Sequence, residues 1–345
     1  MSDKINVIDL FSGCGGLSYG FAKAGYEVVL GIDNWKDAIM TFEHNHKQAK
    51  GIVADLSIER PKEISERTKT KKADIIIGGP PCQGFSIAGK RQVEDERNKL
   101  YKAFVDFVKY FNPKAFVMEN VPNIVSMGNG IVKENILADF RKLGYFVTYK
   151  ILMSSDFGVP QNRKRAVFVG LKNNKEFIFP VPTQKNRYNA ADAISDLPEY
   201  SLNDGSEYSE APKSFYQKFI RRNSSGVFNH EITNHSEQTV DIVSLVPDGG
   251  NYKDLPAKLQ KTRKVNIAWT RLSSKRPSFT IDTGHRHHFH YRFNRVPTVR
   301  ESARIQSFPD EFIFLGSKTS QYKQVGNAVP PLLAKVLAET LKKYL

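Results

Sequence analysis

Cysteine is almost absent from this chain of 345 residues, with two copies, Cys14 and Cys82, in different glycine-rich stretches. That scarcity excludes a disulfide scaffold and reads as two thiols in a reducing compartment. No cysteine–histidine set has zinc spacing, so no metal site is expected. No apolar run approaches the roughly 18 residues a spanning helix needs. Met1-Ser2-Asp3-Lys4 leads straight into a strand-like run instead of a signal peptide, and a cytoplasmic protein is expected. Acidic residues are also short, with 36 Asp and Glu against 51 Lys and Arg, a formal net charge of +15. Such a surplus favours a polyanionic partner through phosphate contacts, although basicity by itself does not specify one. Hydrophobic residues, at 40%, suffice to fill one large α/β domain and a smaller one.

The chain is organised around Gly78-Gly79-Pro80-Pro81-Cys82-Gln83-Gly84-Phe85-Ser86. The preceding run, Ala73-Asp74-Ile75-Ile76-Ile77, reads as a buried parallel strand. Two glycines and two prolines then fix an unusual backbone course just past its carboxyl end, where open α/β sheets place ligands. On these residues alone Cys82 has two readings, a small thiol buried in a tight turn or a nucleophile.

Upstream, Ile5-Asn6-Val7-Ile8-Asp9-Leu10-Phe11 reads as a first strand, followed by Gly13, Gly15 and Gly16 and a helical pattern over 17–24. Strand, glycine loop and helix together let a ligand approach the backbone closely. The spacing is not that of the dinucleotide fingerprint. A second strand over 27–32 ends at Asp33, where nucleotide-binding folds place a carboxylate on ribose hydroxyls. Asn34 and the aromatic Trp35 follow. A third strand over 52–56 carries Asp55, a ligand or else a helix cap. A helix over 59–72 is expected to be exposed, and an amphipathic one runs from Leu100 to residue 111. The strand 115–118 delivers Glu119 to the same sheet edge as Cys82.

Beyond residue 175 the regular alternation of helix and strand stops. Basic and aromatic residues interleave in Arg271-Leu272-Ser273-Ser274-Lys275-Arg276-Pro277-Ser278-Phe279-Thr280-Ile281 and in His285-Arg286-His287-His288-Phe289-His290-Tyr291-Arg292. Contacts to bases and phosphates suit this composition better than a metal, which would lack cysteine and carboxylate ligands here.

Six blocks in order resemble the cytosine-5 DNA methyltransferases of bacterial restriction-modification systems. They are Asp9-Leu10-Phe11-Ser12-Gly13-Cys14-Gly15-Gly16-Leu17, the Pro-Cys-Gln stretch at 81–83, Glu119-Asn120-Val121, Gln161-Asn162-Arg163-Lys164-Arg165, the stretch 300–309 and Gly326-Asn327-Ala328-Val329-Pro330-Pro331. The resemblance implies an α/β fold of the S-adenosylmethionine-dependent kind, a Rossmann-like mixed sheet with helices on both faces. It adds a smaller, irregular target-recognition domain. The expected division is 1–175 plus 318–345 for catalysis and cofactor, and 176–317 for recognition. A helix over 300–309, expected to be amphipathic, would support the second domain.

By the same resemblance S-adenosylmethionine is the cofactor and S-adenosylhomocysteine its product. Phe11, Ser12, Gly13, Gly15, Gly16 and Leu17 would hold the methionine part. Asp33 and Asn34 would meet the ribose side, Asp55 and Leu56 the adenine, and Gly78, Pro80, Leu100, Asn327 and Val329 would complete the pocket. Many family members carry glutamate where this chain has Asp33. Cys82 would be the nucleophile and Glu119 the acid, with Arg165 near the cytosine oxygen. Arg163, expected on one strand face with Arg165, would position Glu119 or a phosphate. Gln83, Ser86, Lys90 and Arg91 would touch DNA from a closing loop over 86–98, whose plain alternative is a surface loop. Arg271, Arg276, His285, Arg286 and His287 would touch it from the second domain. The implied partner is double-stranded DNA, with a restriction endonuclease as functional companion and the enzyme as monomer. A transfer-RNA methyltransferase and an inactive DNA-binding regulator are the alternatives.

Overall fold

The computed structural model describes residues 4–81, 99–182, 187–262, 269–284 and 288–345. The chain forms two compact units, the first of Met1–Met153, Lys164–Val181 and Leu333–Leu345 and the second of Ser154–Arg163 and Pro182–Leu332. Three segments thus fall elsewhere than the expected boundaries at 175 and 318 would place them. Residues 154–163 and 318–332 belong to the second unit, and residues 176–181 to the first.

The first unit is built on one sheet. Its strands are β1 (Asn6–Leu10), β2 (Glu27–Asp33), β3 (Lys50–Val53), β4 (Ile75–Gly78), β5 (Ala115–Asn120), β6 (Phe146–Met153) and β7 (Lys164–Leu171), in the order β3-β2-β1-β4-β5-β7-β6. All neighbours run parallel except β7, which is antiparallel to both β5 and β6. β4 is buried along its whole length, as its unbroken isoleucine run requires of a strand covered on both faces. The chain moves outward from β1 through β2 to β3, then returns to β4 on the other side of β1. The carboxyl ends of β1 and β4 therefore flank the point where strand order reverses, the usual ligand crevice of such sheets.

The helices of this unit include α1 (Gly16–Lys23), α2 (Lys36–Asn45), α3 (Pro61–Thr68), α4 (Lys99–Phe111) and α5 (Ile131–Lys142). They cover both faces of the sheet. Phe104 and Phe107 of α4 and Phe140 of α5 join Ile8, Ile76 and Phe116 in one core, with the Phe116 and Phe140 rings 4.0 Å apart. Truncating one such ring to alanine costs about 3–5 kcal/mol. The helix expected over 59–72 is shorter and not wholly exposed, since Pro61, Ile64 and Ser65 of α3 are buried.

The second unit has short helices, α6 (Ala190–Ile194), α7 (Phe215–Arg221), α8 (Glu237–Ser244), α9 (Ala257–Gln260), α10 (Val299–Ile305) and α11 (Lys318–Asn327), with two strands, β8 (Thr270–Arg271) and β9 (His288–Phe289). The last helix, α12 (Pro331–Leu341), begins in the second unit and ends in the first. Every residue of α10 is buried, charged ones included, so the expected amphipathic pattern is not what forms. The reason is internal pairing. Arg304 reaches Asp196 at 2.5 Å and Asp310 at 2.6 Å, and Arg295 grips Glu301 through two bonds of 2.8 Å. Burial pushes the Glu301 carboxyl up, but the charge and hydrogen bonds of Arg295, with the nearby His290 and His230, outweigh it and hold the group down at about 2. Buried ions survive only when paired and hydrogen-bonded in this way.

Candidate active site

The glycine loop leaves β1 at Leu10 and turns at once. Phe11 has φ 57° and Gly13 φ 53°, a left-handed course that glycine adopts freely and phenylalanine adopts only under constraint. The end of β2 supplies that constraint. Ser12 N–H donates to the Ile32 carbonyl at 3.0 Å, and the Asp33 carboxylate accepts from the Gly13 N–H and the Trp35 N–H, each at 2.9 Å. Burial pushes the Asp33 carboxyl up, and those N–H donors pull it back. Gly15 N–H closes the loop onto the Ser12 carbonyl at 2.9 Å, and Gly16 and Leu17 begin α1 buried.

Two features of this loop fit a bound group with amino-acid and ribose parts. A Cβ built on Gly13 meets no heavy atom within 4 Å, so the backbone there borders an open cradle. Buried Ser12 Oγ has no hydrogen-bond partner, a state that costs about 1–3 kcal/mol unless a ligand or water completes it. S-adenosylmethionine, with amino, carboxylate and ribose groups, fits such donors and acceptors. Asn34 stands exposed beside Asp33. Beneath the loop Asp9 takes the Ser18 hydroxyl at 2.6 Å. Burial, with the nearby Asp33 charge, pushes the Asp9 carboxyl up to about 7 although the Ser18 bond pulls it down.

Asp55 lies beyond β3, which stops at Val53, so the strand expected over 52–56 ends early. Its carboxylate turns back on Ser57, taking the N–H at 2.8 Å and the hydroxyl at 2.6 Å through one oxygen. Leu56 beside it is buried. Leu100 is half-buried in the first turn of α4.

At the carboxyl ends of β4 and β5 several of the residues expected to act together are neighbours. Glu119 Oε1 is paired with Arg165 Nε at 2.5 Å. Its other oxygen, Oε2, lies only 3.0 Å from where a Cβ on Gly79 would stand, so glycine there admits the carboxylate against the loop that leads to Cys82. Asn120 donates from Nδ2 to the Pro80 carbonyl at 2.8 Å and accepts the Val121 N–H at 2.9 Å. The buried Pro80 is thereby fastened to β5. The sequence alone assigns no ligand role to Asn120 or Asp9. Both stand inside the quoted blocks, but only the fold reveals their partners.

Cys82, Gln83, Ser86, Lys90, Arg91, His285, Arg286 and His287 lie outside the described residues. Arg163 does not share a strand face with Arg165, because β7 begins at Lys164. Its buried guanidinium donates to the Ile281 carbonyl at 3.1 Å and the Gly326 carbonyl at 2.8 Å. Arg271, expected on DNA, is instead buried inside the second unit. It donates to the carbonyls of Val246, His290 and Val243 and to Asn294 Oδ1 at 2.5–2.9 Å, which leaves no free fork for a phosphate. Arg276 is exposed and donates to the Gly249 carbonyl at 3.2 Å. Asn327 is the exposed last residue of α11 and Val329 is buried, both in the second unit. Among the described residues no group of three or more His, Cys, Asp or Glu could hold a metal ion. Among them, too, no helix is long and apolar enough to cross a membrane.

A family model described as C-5 cytosine-specific DNA methylase matches residues 5–343. The chain is 40% identical to the type II methyltransferase M1.HphI of Haemophilus parahaemolyticus, over 99% of this chain and 87% of that one. It is 39% identical to the type II methyltransferase M.DdeI of Desulfomicrobium norvegicum, over 99% of this chain and 89% of that one. A crystal structure of a putative DNA modification methyltransferase encoded within an E. coli prophage superposes with a TM-score of 0.80, 28% identity and 99% coverage of both chains.

Proposed function

Because the chain belongs to the C-5 cytosine-specific DNA methylase family, we propose that it methylates carbon 5 of a cytosine extruded from duplex DNA, with Cys82 as the nucleophile. The observation that carries this reading is the Glu119–Arg165 pair, set against Gly79 at the start of the loop that leads to Cys82. Carbon 5 of cytosine is a poor nucleophile within its aromatic ring. Addition of the Cys82 thiolate to carbon 6 forms an S–C bond and turns the ring into an enamine, nucleophilic at carbon 5. The charge that builds toward N3 and O2 is met by the Glu119 proton and the Arg165 guanidinium. After alkylation the carbon 5 proton leaves and the thiolate is expelled, which restores the aromatic ring.

S-adenosylmethionine, when bound, supplies the electrophilic methyl group. Residues 11–17, Asp33, Asp55 and Leu56 would hold it, with Leu100 completing the pocket. Asn120 fixes the Pro80 carbonyl and so the point from which Cys82 is presented. Arg163, anchored on Ile281 and Gly326, is the second guanidinium of the proposed set.

The ring face is out of reach inside a duplex, so extrusion at a cost of a few kcal/mol is part of the reading. The surplus of basic residues offsets that cost by holding phosphates. The type II relatives support a further part of the reading. In it the enzyme protects chromosomal DNA from a cognate endonuclease, and we propose besides that it acts in the cytoplasm as a monomer.

The test is transfer from labelled S-adenosylmethionine to unmethylated plasmid and, separately, to transfer RNA, with the product nucleoside identified. 5-Methyldeoxycytidine in the plasmid is the expected product. Label in RNA alone, or transfer by Cys82→Ala, would overturn the reading.

A further inference from the structure

An aromatic residue of the second unit stands where folding alone gives it no reason to stand. Residues 278–281 are clamped on both sides of their backbone. Ser278 N–H donates to the Pro160 carbonyl at 2.9 Å, and the Ser278 carbonyl accepts the Asn162 N–H at 2.8 Å. The Ile281 N–H donates to Gln161 Oε1 at 2.9 Å, and its carbonyl accepts from Arg163 at 3.1 Å. Ser278 and Ile281 are buried, yet Phe279 between them is 44% exposed. Its ring is not loose: it lies stacked on His288, centroids 5.7 Å apart and planes 22° from parallel. Lys275 and Arg276, a few residues earlier, are exposed cations.

Burying a phenylalanine ring stabilises a fold by about 1.5–3 kcal/mol, so a ring left 44% exposed on a rigid backbone forgoes nearly half of that gain. A ring already ordered by stacking loses little further entropy on binding, which suits an aromatic platform. Neighbouring cations suit a phosphate backbone. A base within an intact duplex offers no free face, but extruding one cytosine uncovers the faces of bases around the gap. We propose that Phe279 stacks on a nucleobase whose face becomes exposed when DNA is bound and the cytosine extruded. This rests on the DNA-methylating reading above, and it adds a residue that positions the opened DNA. His288 backs the ring, and Arg276 holds a phosphate nearby.

The test begins with the wild-type enzyme, whose methylated plasmid sites are mapped and rebuilt as a short duplex. Affinity for that duplex is then measured for Phe279→Ala, Phe279→Leu and Phe279→Trp across salt concentrations. Phe279→Ala should bind about 5- to 150-fold more weakly, the range of base–aromatic stacking. Phe279→Trp should restore binding and Phe279→Leu should not. The salt slope should stay at the wild-type value, as should the melting temperature and the affinity for S-adenosylmethionine. Arg276→Ala, by contrast, should lower the salt slope by about one. Wild-type affinity in Phe279→Ala, full rescue by leucine, or a parallel loss of melting temperature and cofactor affinity would overturn the proposal. A wild-type enzyme that labels no DNA would instead overturn the functional reading on which it rests.

Discussion

Asp9→Asn tests the electrostatics beneath the glycine loop. The Asp9 side chain is 1% exposed, one oxygen takes the Ser18 hydroxyl at 2.6 Å, and the other has no hydrogen-bond partner. Burial, reinforced by the Asp33 charge, raises its pKa from 3.8 to about 7 against the pull of Ser18. A raised carboxyl pKa means that the folded chain keeps a proton the unfolded chain has released. Stability attributable to this group therefore falls as pH rises from the unfolded value to about 7 and is flat above it. From about pH 5 to about pH 7 that is two units at roughly 1.4 kcal/mol each, on the order of 3 kcal/mol. Asparagine keeps the shape and titrates nowhere. Urea unfolding, followed from about pH 5 to about pH 8, should show the variant gaining on the order of 3 kcal/mol on the wild type. A difference that stays constant with pH would refute the buried, proton-binding carboxyl.

Arg165→Ala should slow methyl transfer by about 100- to 1000-fold while leaving cofactor affinity intact, the loss seen for a preorganised charge-stabilising donor; single-turnover rates and a separate binding titration check both halves. Asn120→Ala leaves the Pro80 carbonyl without its 2.8 Å partner, and the unsatisfied acceptor should cost about 1–3 kcal/mol, read as a lower melting temperature together with a lower kcat. Gly13→Ala puts a methyl group into the open cradle at φ 53°, with about 1–2 kcal/mol of backbone strain; calorimetry should find weaker cofactor binding, and unchanged affinity would remove Gly13 from the site. DNA affinity should fall by about 10³-fold or more between roughly 50 and 200 mM salt if six or more phosphates are held, and a flat dependence would show that the surplus charge is not spent on DNA.

Most of the first unit could be read from the chain because its signals are local. Ile75-Ile76-Ile77 followed by glycines can hardly be anything but a buried strand with a turn, and the apolar face of α4 repeats at helical spacing. Asp55 was misplaced because the apolar run continues to Ala54, whereas the ladder with β2 ends at the pairing of Val53 with Asp33. What ends it is the Asp55–Ser57 turn, a side-chain preference that competes with the strand. Arg271 could not be read at all. A guanidinium bound to carbonyls from four other positions looks, in sequence, like one waiting for a phosphate. α10 misleads in the same way, since Asp196, which neutralises Arg304, lies 108 positions away.

Those buried ions bear on how the basic surplus should be understood. Among the described residues five arginines are buried, Arg163, Arg271, Arg295, Arg300 and Arg304, and so are five carboxylates, Asp9, Asp74, Asp196, Glu301 and Asp310. Counted formally the two sets cancel, so the buried charges of the described residues contribute nothing to the net +15. Only charge outside the core can displace counterions from a phosphate backbone. The arginines inside the second unit do different work. With little regular structure to satisfy its carbonyls, that unit uses multi-donor guanidinium groups to tie chain segments together: Arg300 alone binds the carbonyls of Phe228, Pro309 and Phe312. A variant that replaced these buried arginines with lysine would keep the net charge and lose the planar fork. Its DNA binding would then fail through the fold of the second unit, with no change in the field that draws DNA to the surface.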